Sequence, residues 1–399
     1  MAGAQIPIGG EVKPGFEAVR DAFITSFTCR GELGAACTIF YRGEKVVDLW
    51  GGYKTSDCTA PWEEDTIVLV YSISKGVSAL ASAHAVSRGK FGYDDLVKDK
   101  WPEFGCNNKE DIKVWQLLSE QGGLCAIDTK LNAAAEGDPR RLGEILAKQA
   151  PEWKPGEWAG NHADTIGWLH SELISHTDTK NRTLGQYFAD EIATPLGLDF
   201  HFGLPASENS RMARIKGFFI LSMLLHMDTL PWKMVLCMLM PWTLTFKTLA
   251  NPLVLNPALL DTPDYWRAEN GGAGGIGSAR ALATLYSEFA TGGKKLGITE
   301  EVLNRLRSDA IMPTNGWNDQ VLKTDVHYWL GLEKPFNEFS FNGGPSCYGT
   351  FAVGGSMAFA DPTHKVGYAY TTNKLGFHKW NDPREKGVRD AFYDIIRRD

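Results

Sequence analysis

The sequence predicts an α/β (α+β) protein in which a sheet is assembled from both ends of the chain, flanked by helices, with a mostly helical region inserted between them. Three observations predict it. Strand-like alternation clusters before about residue 52 and again after residue 326. The stretch from Ser72 to about Phe200 is patterned mainly as helix. The chain has 399 residues, 43% hydrophobic and 22% charged, enough to bury a large core in the ordinary globular manner. Strands at the termini and helices in the middle are most simply packed as one discontinuous sheet domain, residues 1–66 with 270–399. A helical domain, 67–269, contains an apolar insertion at 210–250.

Glu17 to Phe27 has the spacing of an amphipathic helix. Ala35–Tyr41 and Glu44–Leu49 alternate as two strands around an Arg42-Gly43 turn, and Trp50-Gly51-Gly52 ends that hairpin. A helix of roughly 17 residues, about 25 Å long, opens at Ser72. The helical stretch is broken at Gly89, Pro102, Gly122-Gly123 and Pro155-Gly156. Leu184–Ile192 is a helix stopped by Pro195-Leu196-Gly197, and Ser278–Thr291 and Thr299–Arg307 are two more. Strands return at Val326–Leu332, Tyr348–Ala360 and Val366–Thr372, with turns at Asn342-Gly343-Gly344 and Asp361-Pro362. Glu385–Arg397 is a terminal helix.

The formal net charge of −7, with signs mixed along the chain, excludes a nucleic-acid surface: there is no basic stripe and no aromatic-basic interleaving. Seven scattered cysteines with no CxxC pair argue against a disulfide framework or zinc knuckle and for a reducing compartment. Met1–Pro14 lacks the basic-then-apolar pattern of a secretory signal, so a cytoplasmic protein starting near residue 1 is expected. Residues 217–246 are strongly apolar and rich in Met and Trp, but Asp228, Pro231, Lys233 and Pro241 interrupt them. Each piece is shorter than the roughly 20 apolar residues of a membrane span. A buried helical pair, the lid or wall of an apolar pocket, and a membrane-surface or dimer contact are the three readings.

The chemistry centres on Ser72-Ile73-Ser74-Lys75. A lysine three residues after a serine shares its helix face. A desolvated amine can take the proton that makes a serine hydroxyl nucleophilic. The apolar approach Ile67–Tyr71 and the small-residue run Gly76–Ala83 place this pair at the start of a closely packed helix. Ser87-Arg88-Gly89-Lys90 has the same form, but Gly89 reads as a helix C-terminal cap. Gly272–Gly277 fits GxGxxG, yet no βαβ unit surrounds it, so a tight glycine loop is expected rather than a dinucleotide site. Gly354-Gly355-Ser356, followed by Asp361, His364 and His378, has the order of a hydrolase triad. Strand rather than helix follows its serine, against the nucleophile-elbow geometry. His162, His170 and His176 lack metal-ligand spacing, so neither metal nor cofactor is expected.

Several segments together resemble the serine β-lactamase-related hydrolases: class C β-lactamases, DD-peptidases, family VIII carboxylesterases and related acyltransferases. They are Gly34–Gly52, Tyr71–Gly76, Gln116–Ser119 with Gly122-Gly123-Leu124, Lys154-Pro155-Gly156, His162–Trp168, Pro195–His201, and Gly354–Ser356 with Phe359–Pro362. The esterase branch is the nearest in character. The resemblance implies a β-lactamase/transpeptidase-like fold with an antiparallel sheet and an inserted all-helical domain. It also implies an acyl-enzyme on Ser72, proton transfer through Lys75 and a tyrosine of the middle box, and an oxyanion held by the N–H groups of Ser72 and Val353.

The sequence departs from that pattern at three places. Asn161 stands at the tyrosine position, Glu120 at the usual histidine after Leu-Leu-Ser, and Thr350-Phe351-Ala352 where Lys-Thr-Gly or His-x-Gly is usual. An amide is no base, so Lys75 acts alone or recruits His162 or Glu120. Thr350 removes a cation that would meet an anionic substrate group, which argues against β-lactams. The expected activity is a serine hydrolase or acyltransferase working on an ester, lactone or thioester of an apolar small molecule. The alternatives are a repurposed isomerase, cyclase or lyase using the pocket without acylation, and a catalytically silent binding protein. Oligomeric state is not legible.

Overall fold

The computed structural model describes residues 6–131, 138–218, 220–251 and 260–398. Met1–Gln5 and Phe219, which belong to the N-terminal and apolar-segment readings above, lie outside the described residues.

The main sheet has eight strands: β1 (Ile8–Val12), β2 (Gly34–Tyr41), β3 (Glu44–Gly52), β7 (Tyr328–Trp329), β8 (Leu332–Glu333), β9 (Tyr348–Phe351), β10 (Met357–Asp361) and β11 (Val366–Thr372). Their spatial order is β1-β3-β2-β11-β10-β9-β8-β7, with every pairing antiparallel. The β2–β3 hairpin turns at Arg42 (φ 54°) and Gly43 (φ 82°), the two left-handed residues that match strand twist in a two-residue loop.

The late strands are more broken than the sequence pattern suggests. Val326–Leu332 is not one strand, because Leu330 (φ 54°) and Gly331 (φ 88°) fold it into the β7–β8 hairpin. Tyr348–Ala360 is likewise two strands, turned back at Gly354 and Gly355 (φ 95° and 104°). β1 was not anticipated. Its Ile-Gly-Gly-Glu-Val sequence lacks alternation, and it forms because Gly9 lies flat against the Trp50 ring, where a Cβ would come within 2.5 Å of the indole nitrogen.

Alternation across the pleat decides which helix covers which face. Phe359, Tyr368 and Tyr370 point into a core with Val19 and Phe23 of α1 (Glu17–Cys29) and Val388 and Phe392 of the C-terminal helix Pro383–Ile396. Their neighbours Ala358, Ala360 and Ala369 point the other way, against Leu282, Tyr286 and Phe289 of the Ala279–Ala290 helix. Each aromatic ring buried this way contributes about 1.5–3 kcal/mol. The small residues let the other helix approach closely.

Beside that helix, against β8, β9 and β10, lies α2 (Ile73–Ser87), buried from Ile73 to Ala85. Its small residues dock it on all sides. A Cβ on Gly76 would come within 2.3 Å of both the Tyr286 hydroxyl and Thr350 Oγ1. Ser74 Oγ accepts the Gly275 N–H, and Ser78 Oγ donates to the Gly271 carbonyl, each at 2.8 Å. The glycine-rich 272–277 loop is thus a packing surface for α2. It ends in β6 (Ile276–Gly277), which joins β4 (Val68–Leu69) and β5 (Phe200–His201) in a small antiparallel sheet. The Leu184 helix relaxes into a π turn at Ala189–Ala193 and runs through Pro195 before Gly197 (φ 64°) ends it. Among the described residues, no helix is long and apolar enough to cross a membrane.

Candidate active site

β4 delivers the chain to Tyr71, which sits at φ 47° although it carries a bulky side chain. Such a conformation costs about 1–3 kcal/mol and persists only where packing over-determines it. The turn places Ser72 at the N-cap of α2, half-buried, with no capping hydrogen bond from its side chain. Lys75, one turn on, is almost wholly buried. Both residues line one cavity of about 160 Å³.

The Lys75 amino group donates to Glu120 Oε1 at 3.1 Å and to Asn161 Oδ1. Among the described residues it makes no hydrogen bond to Ser72. Glu120 itself sits at φ 58°, on the sharp turn after the Val114–Leu118 helix. Its carbonyl accepts the Gly160 N–H at 3.2 Å and its Oε2 accepts the His162 N–H at 3.1 Å. The loops carrying Glu120 and Asn161 are therefore stitched together with both side chains turned to Lys75. Burial pushes the Glu120 carboxyl above its ordinary range; the Lys75 charge pulls the other way without cancelling it.

His162 is not on the cavity wall. Its Nδ1–H donates to the Gly160 carbonyl at 2.6 Å, and its Nε2 accepts the Leu124 N–H at 3.0 Å. Both ring nitrogens are spent on backbone, and burial holds the imidazole neutral, with its pKa pushed down to about 3. The ring braces the loop and leaves no nitrogen for Ser72. Thr350 is also off the cavity: its hydroxyl pairs with Tyr286 at 3.0 Å, beneath Gly76. Val353 does line the cavity, and neither its N–H nor that of Ser72 donates a hydrogen bond among the described residues. Of the sequence-predicted residues, then, Ser72, Lys75, Asn161 and Val353 meet at the cavity, Glu120 touches it through Lys75, and His162 and Thr350 stand behind it.

The triad-like order around Ser356 dissolves. Ser356 Oγ accepts the Thr372 N–H at 3.1 Å inside the sheet, while Asp361 holds His364 and the Tyr393 hydroxyl on its own turn. His170 pairs with Ser82 at 2.7 Å. No group of His, Cys, Asp or Glu among the described residues could hold a metal ion.

Sequence reading missed four residues here. Tyr328, Glu333 and Lys379 line the cavity. Asp319 holds the Tyr328 hydroxyl at 2.7 Å and accepts the Val321 and Leu322 N–H groups at the same distance. The one signal available was a charge set among apolar strand residues, as at Leu332-Glu333. The apolar segment forms much of the remaining wall through Phe218, Met223, Leu230, Met234 and Met238. It is not a simply buried helical pair: Leu225 and Trp242 are each 81% exposed on its outer side.

The β-lactamase family profile matches residues 21–391. The esterase/β-lactamase LipL of Mycobacterium tuberculosis is 28% identical over 380 residues, spanning 92% of this chain and 83% of that protein. The crystal structure of a family VIII carboxylesterase superposes with a TM-score of 0.85 at 30% identity, covering 98% of this chain and 100% of that one. A penicillin-binding protein homologue from Caulobacter crescentus does so with a TM-score of 0.79, also at 30% identity and with the same coverage. The antiparallel sheet, the buried helix opening on Ser72 and these likenesses agree: the chain belongs to the β-lactamase family of serine hydrolases.

Proposed function

We propose that this protein hydrolyses an ester, lactone or thioester of an apolar small molecule through an acyl-enzyme on Ser72. The observation that carries the reading is that Ser72 and Lys75 open on a cavity with a large apolar wall of Phe218, Met223, Leu230, Met234 and Met238, beside the polar Asn161, Tyr328, Glu333 and Lys379. The esterases among its relatives support hydrolysis. Ser72 Oγ attacks the carbonyl carbon as its proton passes to the neutral amine of Lys75. The oxyanion rests on the N–H groups of Ser72 and Val353, a pair of donors in which each is worth about 3–4 kcal/mol. The tetrahedral species collapses, and the leaving alcohol or thiol takes the proton back. Water then repeats the sequence and frees the acid; an alcohol that outcompetes water would make the same intermediate an acyl donor.

Lys75 must be neutral to start this cycle, and Glu120 is the group that makes it so. Burial pushes the Glu120 carboxyl up, which makes it a better acceptor for the proton that Lys75 must give up. The Asn161 amide positions the amine and takes no proton. Glu120 thus does the work that a middle-box tyrosine would do. Chemistry without acylation, as in an isomerase, cyclase or lyase, is the second reading, and Asn161 at the tyrosine position is what favours it. The free cysteines fit a reducing, cytoplasmic setting.

A fluorophosphonate probe should add its mass to Ser72, and Ser72→Ala should abolish labelling and lower ester turnover by about 10³-fold or more. Turnover that survives Ser72→Ala would hand the site to the second reading.

A further inference from the structure

Among the described residues, Lys75, Asp164, Glu333, His378 and Lys379 line the cavity, where Asp164 accepts from Asn270 and His378 lies 3.9 Å from Asp382. Lys75 and Glu120 bond each other. Glu333 on β8 and Lys379 in the loop before the C-terminal helix face the same cavity and make no such bond among the described residues. Glu333 is 5% exposed, and its Oε2 is completely buried with no hydrogen-bond partner among the described residues. The Lys379 ammonium lies 4.8 Å over the Phe351 ring and joins no ion pair among the described residues, while its backbone N–H is fixed to the Thr229 carbonyl. Buried polar atoms are normally satisfied, and a pair left open toward a cavity points to a ligand that completes it.

The chemistry of that ligand follows from the donors. A lysine ammonium can only donate. Burial pushes the Glu333 carboxyl up, toward the form that can donate, and pushes the Lys379 amine down, each acting on the other. The other charged groups that act on this pair, Lys75, Glu120 and Asp319, are already bonded within the protein. Two donors around one opening call for a compact anion with acceptor lone pairs, and Lys379 repels an ammonium. Thr350, its hydroxyl turned to Tyr286, offers no cation from the sheet.

We infer that Lys379 and Glu333 form a second recognition point that binds a carboxylate carried on the apolar body of the substrate. This rests on the Ser72 acyl-enzyme reading and narrows it to amphiphilic esters such as half-esters of dicarboxylic acids.

The test compares two nitrophenyl esters of equal length, the adipic acid monoester with its free carboxylate and the same ester methyl-capped. Wild-type protein should favour the free carboxylate in kcat/KM. Lys379→Met should lower that preference ratio about tenfold or more, mainly through KM, and Lys379→Arg should keep most of it. A wild-type ratio near one, a ratio that Lys379→Met leaves unchanged, or a preference for an ammonium-tipped ester would overturn the inference. Calorimetry on Ser72→Ala protein with monomethyl adipate separates the two ideas. Lys379-dependent binding there supports the carboxylate site even if no ester is turned over, whereas Ser72-dependent turnover of the capped ester with no such binding leaves acylation standing and removes the site.

Discussion

The helix that opens at Ser72 and the apolar segment opposite it face the same cavity and are built in opposite ways. α2 is enclosed on every side, and its hydroxyls and glycines are matched to specific atoms of the 271–275 loop, Tyr286 and Thr350. The segment that includes the Trp232–Met238 and Leu244–Ala250 helices turns Met234 and Met238 to the cavity while leaving Trp232, Leu239 and Trp242 outside. One side of the cavity fixes atoms to within hydrogen-bond tolerance, as proton transfer requires. The other offers flexible thioether side chains that adapt to different apolar shapes. On the proposed function, chemistry and substrate choice fall to separate walls, and each should fail separately.

The largest effect should come from the Lys75–Glu120 pair. Glu120→Gln keeps a hydrogen-bonding side chain but cannot hold the proton, so kcat should fall by about 100-fold or more with the fold intact. Lys75→Ala should lose activity and also destabilise the protein by about 3–5 kcal/mol in denaturant titration, because Glu120 is left buried without its cation. Full activity in Glu120→Gln would return the base role to Lys75 alone.

Acid should strike the same wall next. His162 and His170, which brace the loops and helix around α2, have pKa values pushed down to about 3 by burial, against an ordinary 6.5. Groups with a depressed folded pKa stabilise fully above about pH 6.5, and that contribution is lost as pH falls toward 3. At pH 5 each should already cost about 2 kcal/mol, read as a fall in melting temperature relative to pH 7 that His162→Gln reduces. An unchanged slope in that variant would mean the loop opens without protonating His162.

The opposite wall should answer with smaller, substrate-dependent effects. Met234→Ala should lower kcat/KM about tenfold for an octanoate-length ester and much less for an acetate. Equal losses on both would deny the wall its selectivity. Trp242→Ala, on the exposed outer side, should change neither by more than about twofold and move stability by no more than about 0.5 kcal/mol.

Much of this was legible in the sequence because it is local. The β2–β3 hairpin follows from alternation and the Arg42-Gly43 turn. The α2 start follows from the apolar approach to Ser72, and the family from ordered segments along nearly the whole chain. The late strands were only partly legible, since the pattern does not register a left-handed residue such as Leu330 folding an apolar run back on itself. Glu333 and Lys379 carry no motif, and nothing in their neighbourhoods says that they face one cavity.

By itself the sequence determined the β2–β3 hairpin, the α2 helix and the spacing of Ser72 and Lys75 at its start, because periodicity and short spacings act over a few residues. Only the tertiary structure decided that Glu120 rather than His162 meets Lys75, and that the apolar segment closes over Ser72. Those contacts join residues tens to hundreds of positions apart. Which of several candidate side chains reaches a buried amine is set by how the loops pack, and no local pattern encodes that.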